Sequence, residues 1–183
     1  RLDGLVNNAA MRAETPFAGM PLAEWRRVLA TVLDGAFLCA QACLPYLLQA
    51  PNPHILSLAP PLSLDPKWWA PHVAYTLAKM GMSFVTMGLA AEFGPQGIAV
   101  NALWPRTVIA TDAINMIPGV TAAQCRKPEI VGDAAHAVLV RASEDFYGHF
   151  LIDDDVLFAA GITDFSGYAV DPSHESVAAG DLD

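Results

Sequence analysis

A chain of 183 residues is long enough for one domain with a sizeable core. Hydrophobic residues make up 54% of it, charged residues only 16%, and the net charge of −9 argues against nucleic acid or an anionic membrane surface as a partner. Asp34 and Gln41 interrupt the greasiest stretch, so no membrane span is expected, and the apolar excess must go into a core or against another subunit.

Leu2 to Ala10 reads as a short buried strand around Leu5 and Val6 that ends in the turn-forming pair Asn7-Asn8. The chain starts at Arg1 with this strand almost at once, which reads as a chain entered in the middle. Pro16 and Gly19 mark a loop before a long helix, about Leu22 to Leu48, with a wide apolar stripe from Trp25 to Leu47 and an expected kink at Pro45. Cys39 and Cys43 share a face of that helix, where a core role is expected. With Cys125 they make three cysteines, too few for a disulfide framework, and with no secretory signal in view the expected compartment is the cytoplasm.

His54 to Leu58 is a second strand, followed by a proline-rich loop from Ala59 to Pro71 of the length that is usually functional. A second long helix, about His72 to Phe93, is apolar nearly all round, as suits a central or interface helix. Ile98 to Leu103 is a third strand, Glu129 to Arg141 a helix and Gly148 to Asp153 a fourth strand. Short helical pieces are expected within 106–116, 121–126 and 156–161, and residues 164–183 read as a surface-hugging or frayed tail after a domain over 1–163. Strands alternate with helices, which predicts an α/β fold: a Rossmann-like, doubly wound parallel sheet of about four strands. Ligands of such sheets sit beyond the carboxyl ends of the strands. Asn7, the loop from Ala59, and Pro105 to Thr111 all fall there.

Tyr75 and Lys79 lie four residues apart at the start of the second long helix, one above the other on a face. An ammonium near a phenol favours the phenolate and so is expected to lower the phenol's pKa, fitting it for acid–base work on an alcohol or carbonyl oxygen. Trp68, Trp69 and Trp104, with Met80 and Met116, suggest an apolar substrate pocket. Asp153-Asp154-Asp155 has no His or Cys at ligand spacing, so no metal site is expected and a solvated strand end is.

The ordered set Asn7-Asn8-Ala9, Tyr75-Thr-Leu-Ala-Lys79, Val100-Asn101-Ala102, Pro105 and Thr111 resembles the short-chain dehydrogenases/reductases, over about Leu2 to Pro172. The loop Ala59-Pro60-Pro61-Leu62-Ser63 and the run Asn101 to Arg106 are similar to the hydroxysteroid-dehydrogenase-like branch. The resemblance implies an oxidoreductase that moves a hydride between NAD or NADP and an alcohol or carbonyl of a small, apolar molecule. It implies Tyr75 as acid/base, Lys79 as its tuner and a ligand of the nicotinamide ribose, and Asn7, Ala9, Pro105 and Thr111 in cofactor binding. Asn101 is expected to hold the loop through backbone bonds, and Arg106 either meets a cofactor phosphate or caps its loop.

Three departures accompany the resemblance. The glycine-rich dinucleotide loop, normally found after the first strand, is not in these residues. The usual active-site serine falls at Pro60, leaving Ser63 to substitute, since Ser57 is expected to face away. The asparagine that extends the proton relay falls at Val32. The alternative is a non-catalytic binding or oligomerisation module. On either reading the 22–48 and 72–93 helices are expected to join copies into a homo-oligomer.

Overall fold

In the computed structural model, which describes residues 1–13, 15–70, 72–117 and 119–179, four short apolar runs become strands. Gly4–Asn7 (β1), His54–Ser57 (β2), Ala99–Trp104 (β3) and Phe150–Ile152 (β4) form one parallel sheet in the order β1-β2-β3-β4. The register pairs Asn7 with Ser57 and Ser57 with Ala102, so β1 and β2 end level and β3 runs on two residues further. Every residue of β2, and of β3 as far as Leu103, is buried. That is why these runs read as continuous apolar stretches without alternation. β1 lies at a sheet edge, with Val6 47% exposed.

Among the described residues, five α-helices accompany the strands: Leu22–Leu29 (α1), Gly35–Leu47 (α2), Val73–Phe93 (α3), Glu129–Leu139 (α4) and Asp153–Ala159 (α5). A turn of π-helix, Ala30–Asp34, joins α1 to α2 and keeps them one continuous rod. The helix runs on through Pro45 to Leu47, so the departure from regular geometry is at the π turn, where no proline stands. α3 crosses close to that turn. A Cβ on Gly81 would come 3.0 Å from Leu33, and only a glycine permits this approach without displacing the leucine. Gly94 is constrained more tightly, because a Cβ there would fall 2.3 Å from the ring of Tyr147.

The chain divides into two compact units, 1–103 with 141–150 and 104–140 with 151–183. In the first, Val28, Val32, Ala36, Ala59, Ala74, Ala78 and Met82 form one buried cluster under α3, and Ala40, Leu47, Ile55, Ala90, Ile98 and Val100 form another. In the second, the segment expected to hug or fray is held by backbone bonds. Val108 donates to Val177, Val177 to Gln124 and Val170 to Cys125, at 2.9–3.0 Å.

Two expectations are corrected. Cys39 is exposed, because the stripe of α2 is wider than the face that packs inside, whereas Cys43, half-buried, packs against the core as expected. The helices Leu22–Leu47 and Val73–Gln96 are each apolar and long enough to cross a bilayer, by length and composition. A helix with one face on a sheet and the other suited to a partner has the same composition.

His54 is 3% exposed; its Nε2 lies 3.2 Å from the Arg141 carbonyl and its Nδ1 has no hydrogen-bond partner. Burial therefore holds the imidazole below its ordinary value of 6.5, against the smaller pull of the Arg141 bond. The unfolded chain binds a proton as the pH falls through about 6.5, before the folded one does, so stability drops there. His54→Gln, which can still donate to Arg141 but cannot titrate, should lose less of its urea midpoint between pH 7 and pH 5 than the parent. Equal losses would show that His54 does not matter.

Candidate active site

α3 begins at the end of the proline-rich loop after β2, and its first three turns hold that loop by its carbonyls. Lys79 is 4% exposed and its Nζ donates to the Leu58 oxygen at 2.7 Å. Ser83, fully buried, places its Oγ 2.7 Å from the Pro60 oxygen, and Thr76 donates to the Trp68 oxygen. Pro60 and Pro61 bring no N–H to this segment, so its carbonyls take their donors from α3. Burial pulls the Lys79 ammonium down to about 8 from 10.5. An amine tuned so far changes charge readily near neutral pH, as functional lysines often do.

Tyr75 sits half-buried one turn before Lys79. Burial pushes its phenol above the ordinary value of 10.0, and the charge of Arg12 pulls it part of the way back. The expected direction is thus corrected: desolvation outweighs nearby charge, and the cation felt at the phenol is Arg12. The ammonium of Lys79 is turned to a carbonyl instead.

Asn7 and Ser57 close β1 and β2 side by side, with Asn7 Nδ2 3.5 Å from Ser57 Oγ, a long and weak contact. Ser57 therefore shares a face with Asn7. Ala9, two residues on, is exposed. Ser63 is half-exposed, and its Oγ accepts the Asp65 N–H at 3.2 Å, which leaves its own proton to be donated. Pro105 and Thr111 belong to the second unit, Pro105 half-buried and Thr111 exposed. Trp68 and Trp69 are half-buried in the first unit and Met80 is core, Trp104 lies in the second, and the side chain of Met116 is outside the described residues.

The remaining candidates resolve into structural roles. Asn101 is 1% exposed, donates to the Phe146 oxygen at 2.8 Å and accepts from His149 N–H at 3.0 Å, holding the 146–149 turn. Arg106 caps its loop: Nε reaches both oxygens of Asp154 at 2.7 and 2.8 Å, and Nη2 reaches Asp155 at 2.7 Å. The triple aspartate is therefore an ion-paired first turn of α5, not a solvated strand end. Asp153 itself is fully buried and accepts the backbone N–H of Arg106 at 2.9 Å. No group of three or more His, Cys, Asp or Glu able to hold a metal occurs among the described residues.

Val32, where the resemblance puts a relay asparagine, is fully buried at the centre of the π turn, in the cluster with Ala59, Ala74 and Ala78. Three polar groups around α3 escaped the sequence reading: Arg12, His72 and Ser83. No spacing rule marks them, though Ser83 stands one turn after Lys79 on the same face.

This parallel sheet, with a tyrosine–lysine helix entered from the loop after β2, defines a Rossmann-type oxidoreductase scaffold. The family described as enoyl-(acyl carrier protein) reductase matches residues 1–138, and the chain belongs to the short-chain dehydrogenase/reductase family of oxidoreductases. It is 47% identical over 174 residues to hydroxysteroid dehydrogenase-like protein 2 of Danio rerio and 42% identical over 175 to that of Homo sapiens, each alignment covering 94% of this chain and 41% of the relative. The chain thus spans about two fifths of those relatives. Among solved structures, a Xanthomonas campestris protein provisionally called a dehydrogenase is 63% identical, with a TM-score of 0.94 over 99% of this chain and 66% of that one. A short-chain dehydrogenase of Mycobacterium thermoresistibile is 38% identical, with a TM-score of 0.88 over 99% and 65%.

Val32→Asn tests whether the π turn is a vacant relay position. Val32 packs in the apolar cluster with Ala59, Ala74 and Ala78, and an unsatisfied buried polar group costs about 1–3 kcal/mol. The variant should lower the urea midpoint with no gain in turnover; a faster or more stable protein would contradict this.

Proposed function

We propose that the intact protein is an NAD- or NADP-dependent oxidoreductase acting on an alcohol or carbonyl of a small, apolar molecule. The observation that carries the reading is the placement of Tyr75 and Lys79 on the first turns of α3, with Lys79 tied to Leu58 at the exit of β2 and Asn7 at the exit of β1. The crevice beyond strand ends is where open α/β sheets take their ligands.

The residues present fit the nicotinamide end of the cofactor. Lys79 brings a buried ammonium whose donors suit ribose hydroxyls, and Asn7 offers an amide at the strand end with only a long contact to Ser57. The family resemblance also assigns Ala9, Pro105 and Thr111 to cofactor binding. No glycine-rich loop for the pyrophosphate occurs in these residues. When bound, the cofactor accepts or supplies the hydride. Tyr75 gives its phenolic proton to the carbonyl oxygen in reduction and takes it back in oxidation. With proline at position 60, Ser63 is the hydroxyl that donates to the same oxygen. The loop between them and β2 exposes Leu62 (39%) and Leu64 (90%), which supports an apolar substrate.

Tyr75→Phe removes the proton and should lower turnover by about 10²–10⁴-fold while leaving cofactor affinity nearly unchanged. A second reading, assembly without catalysis, gains from Val32 standing in apolar core; an intact protein whose Tyr75→Phe variant reduces carbonyls as fast as the parent would favour it.

The partner proposed for the long helices is a second copy of the chain. α2 and α3 expose Phe37, Leu38, Phe84 and Met87 between 44% and 60%. Between them lies a hollow of about 290 Å³ lined by Phe37, Ala40, Leu44, Leu89 and Phe93. Phe37→Glu and Phe84→Glu should each convert the oligomer to monomer in light scattering. An unchanged mass in both would remove these helices from the interface.

A further inference from the structure

In the second unit, isolated backbone bridges join short segments into a strip of four ribbons among the described residues. Thr107 pairs with Ala178, Ile109 with Arg126, and Arg126 with Ala169. The order across the strip is therefore 177–179, 106–110, 124–127 and 168–170, so both outer ribbons come from the segment 165–179. On one edge the Val108 N–H donates to the Val177 oxygen at 3.0 Å and the Ala179 N–H to the Arg106 oxygen at 2.8 Å. On the other edge the Val170 N–H donates to the Cys125 oxygen at 3.0 Å and the Lys127 N–H to the Tyr168 oxygen at 2.7 Å. Between the edges the chain turns at Asp171, whose Oδ1 accepts the Ser173 N–H at 2.9 Å and its hydroxyl at 2.7 Å.

The two inner ribbons are the two ends of one loop. Ala110 N–H donates to the Arg126 oxygen at 2.8 Å and Arg126 N–H to the Val108 oxygen at 3.0 Å, so residues 111–125 leave and return through a single neck. Thr107, Val108 and Cys125 are buried there. Side chains lock the same neck. Asp154 accepts from Arg106 Nε at 2.7 Å and lies 3.3 Å from Arg126 Nη1, and the Arg126 guanidinium stands 5.5 Å from the centre of the Phe165 ring. The Tyr168 hydroxyl donates to Asp133 Oδ2 on α4 at 2.7 Å, which ties the outer ribbon to a helix. Thr111 is the first residue beyond the neck, exposed, with its N–H turned back to the Ile109 oxygen at 2.8 Å. Its position is therefore set by the neck.

We propose that the segment 165–179 is a clasp that positions Thr111 for the nicotinamide dinucleotide, so that cofactor affinity is set in part by the backbone of 168–179. The inference rests on the oxidoreductase reading and on the cofactor role that the family resemblance gives Thr111. A loop pinned at its neck has already lost the freedom that binding would otherwise have to remove. The clasp acts on both ends of the loop at once, because the same segment bonds to 106–108 and to 124–127. Releasing either outer ribbon unpins the neck while leaving every residue assigned to the cofactor in place.

The test is a fluorescence titration of the intact protein with NADH and with NADPH, run as a double-mutant cycle. Val177→Pro removes the N–H that bonds the Gln124 oxygen, and Ala179→Pro removes the one that bonds Arg106. Each should weaken binding of the preferred dinucleotide by roughly tenfold, the cost of ordering side chains that are no longer held. Thr111→Ala should weaken it too, and in that background the proline variants should cost little more. Affinities unchanged in both proline variants, an affinity unchanged in Thr111→Ala, or losses that add in full to that of Thr111→Ala overturn the proposal. Should the proline variants fail to fold, Tyr168→Phe decides by the same cycle, and Asp133→Asn, which still accepts from that phenol, should bind as the parent does. Equal affinities in Tyr168→Phe and the parent overturn the proposal. A failed oxidoreductase reading shows itself separately, in a parent that binds neither dinucleotide.

Discussion

The bond from the Lys79 ammonium to the Leu58 carbonyl is the constraint around which the first unit is arranged. It joins the exit of β2 to α3, and it does so with a charge taken almost wholly out of water. Such a charge is tolerated only where its donors are met, and the two-proline segment supplies carbonyls that have lost their usual partners. Ser83 repeats the arrangement one turn later at Pro60. The helix and the loop thereby fix each other, and Tyr75 is set one turn ahead of the lysine at the strand-end side of the sheet.

Around this joint the chain is apolar where its relatives' resemblance leads one to look for hydroxyls and amides. Ala59, Ala74, Ala78 and Val32 form a dry cluster at the π turn, and Gly81 lets α3 come down on Leu33. Burial raises the cost of charge at Tyr75 and moves its phenol up. The charge of Arg12 offsets part of that cost.

The four strands, the parallel sheet and the two long helices could be read from short Val/Ile/Leu-rich runs and from the wide apolar stripe, because burial on both faces leaves that trace in composition, whereas strand order and register could not. The Tyr75–Lys79 pair is weak evidence from spacing alone and stands out only beside the strand-end segments and motifs around it, whereas the holding role of Asn101 is met by its bonds to Phe146 and His149. The π turn was not legible, since the residues 22–47 continue one stripe across it and nothing in Ala30–Asp34 breaks a helix. Arg12 was hidden for a different reason: a single arginine in a loop has no periodicity, and its partner His72 is sixty residues away. Cys39 misled because a helix with two apolar faces gives no sign of which one packs inside.

The chain has three lysines, Lys67, Lys79 and Lys127, so their side-chain signals can be followed one by one. An NMR titration of lysine side chains in the intact protein, with Lys79 identified by Lys79→Met, measures the central joint most directly. Lys79 should lose its proton near 8, below the ordinary lysine value of 10.5, and this midpoint should rise when a nicotinamide dinucleotide is bound. A Lys79 that titrates near 10.5, with or without the cofactor, would place its ammonium in water and contradict this.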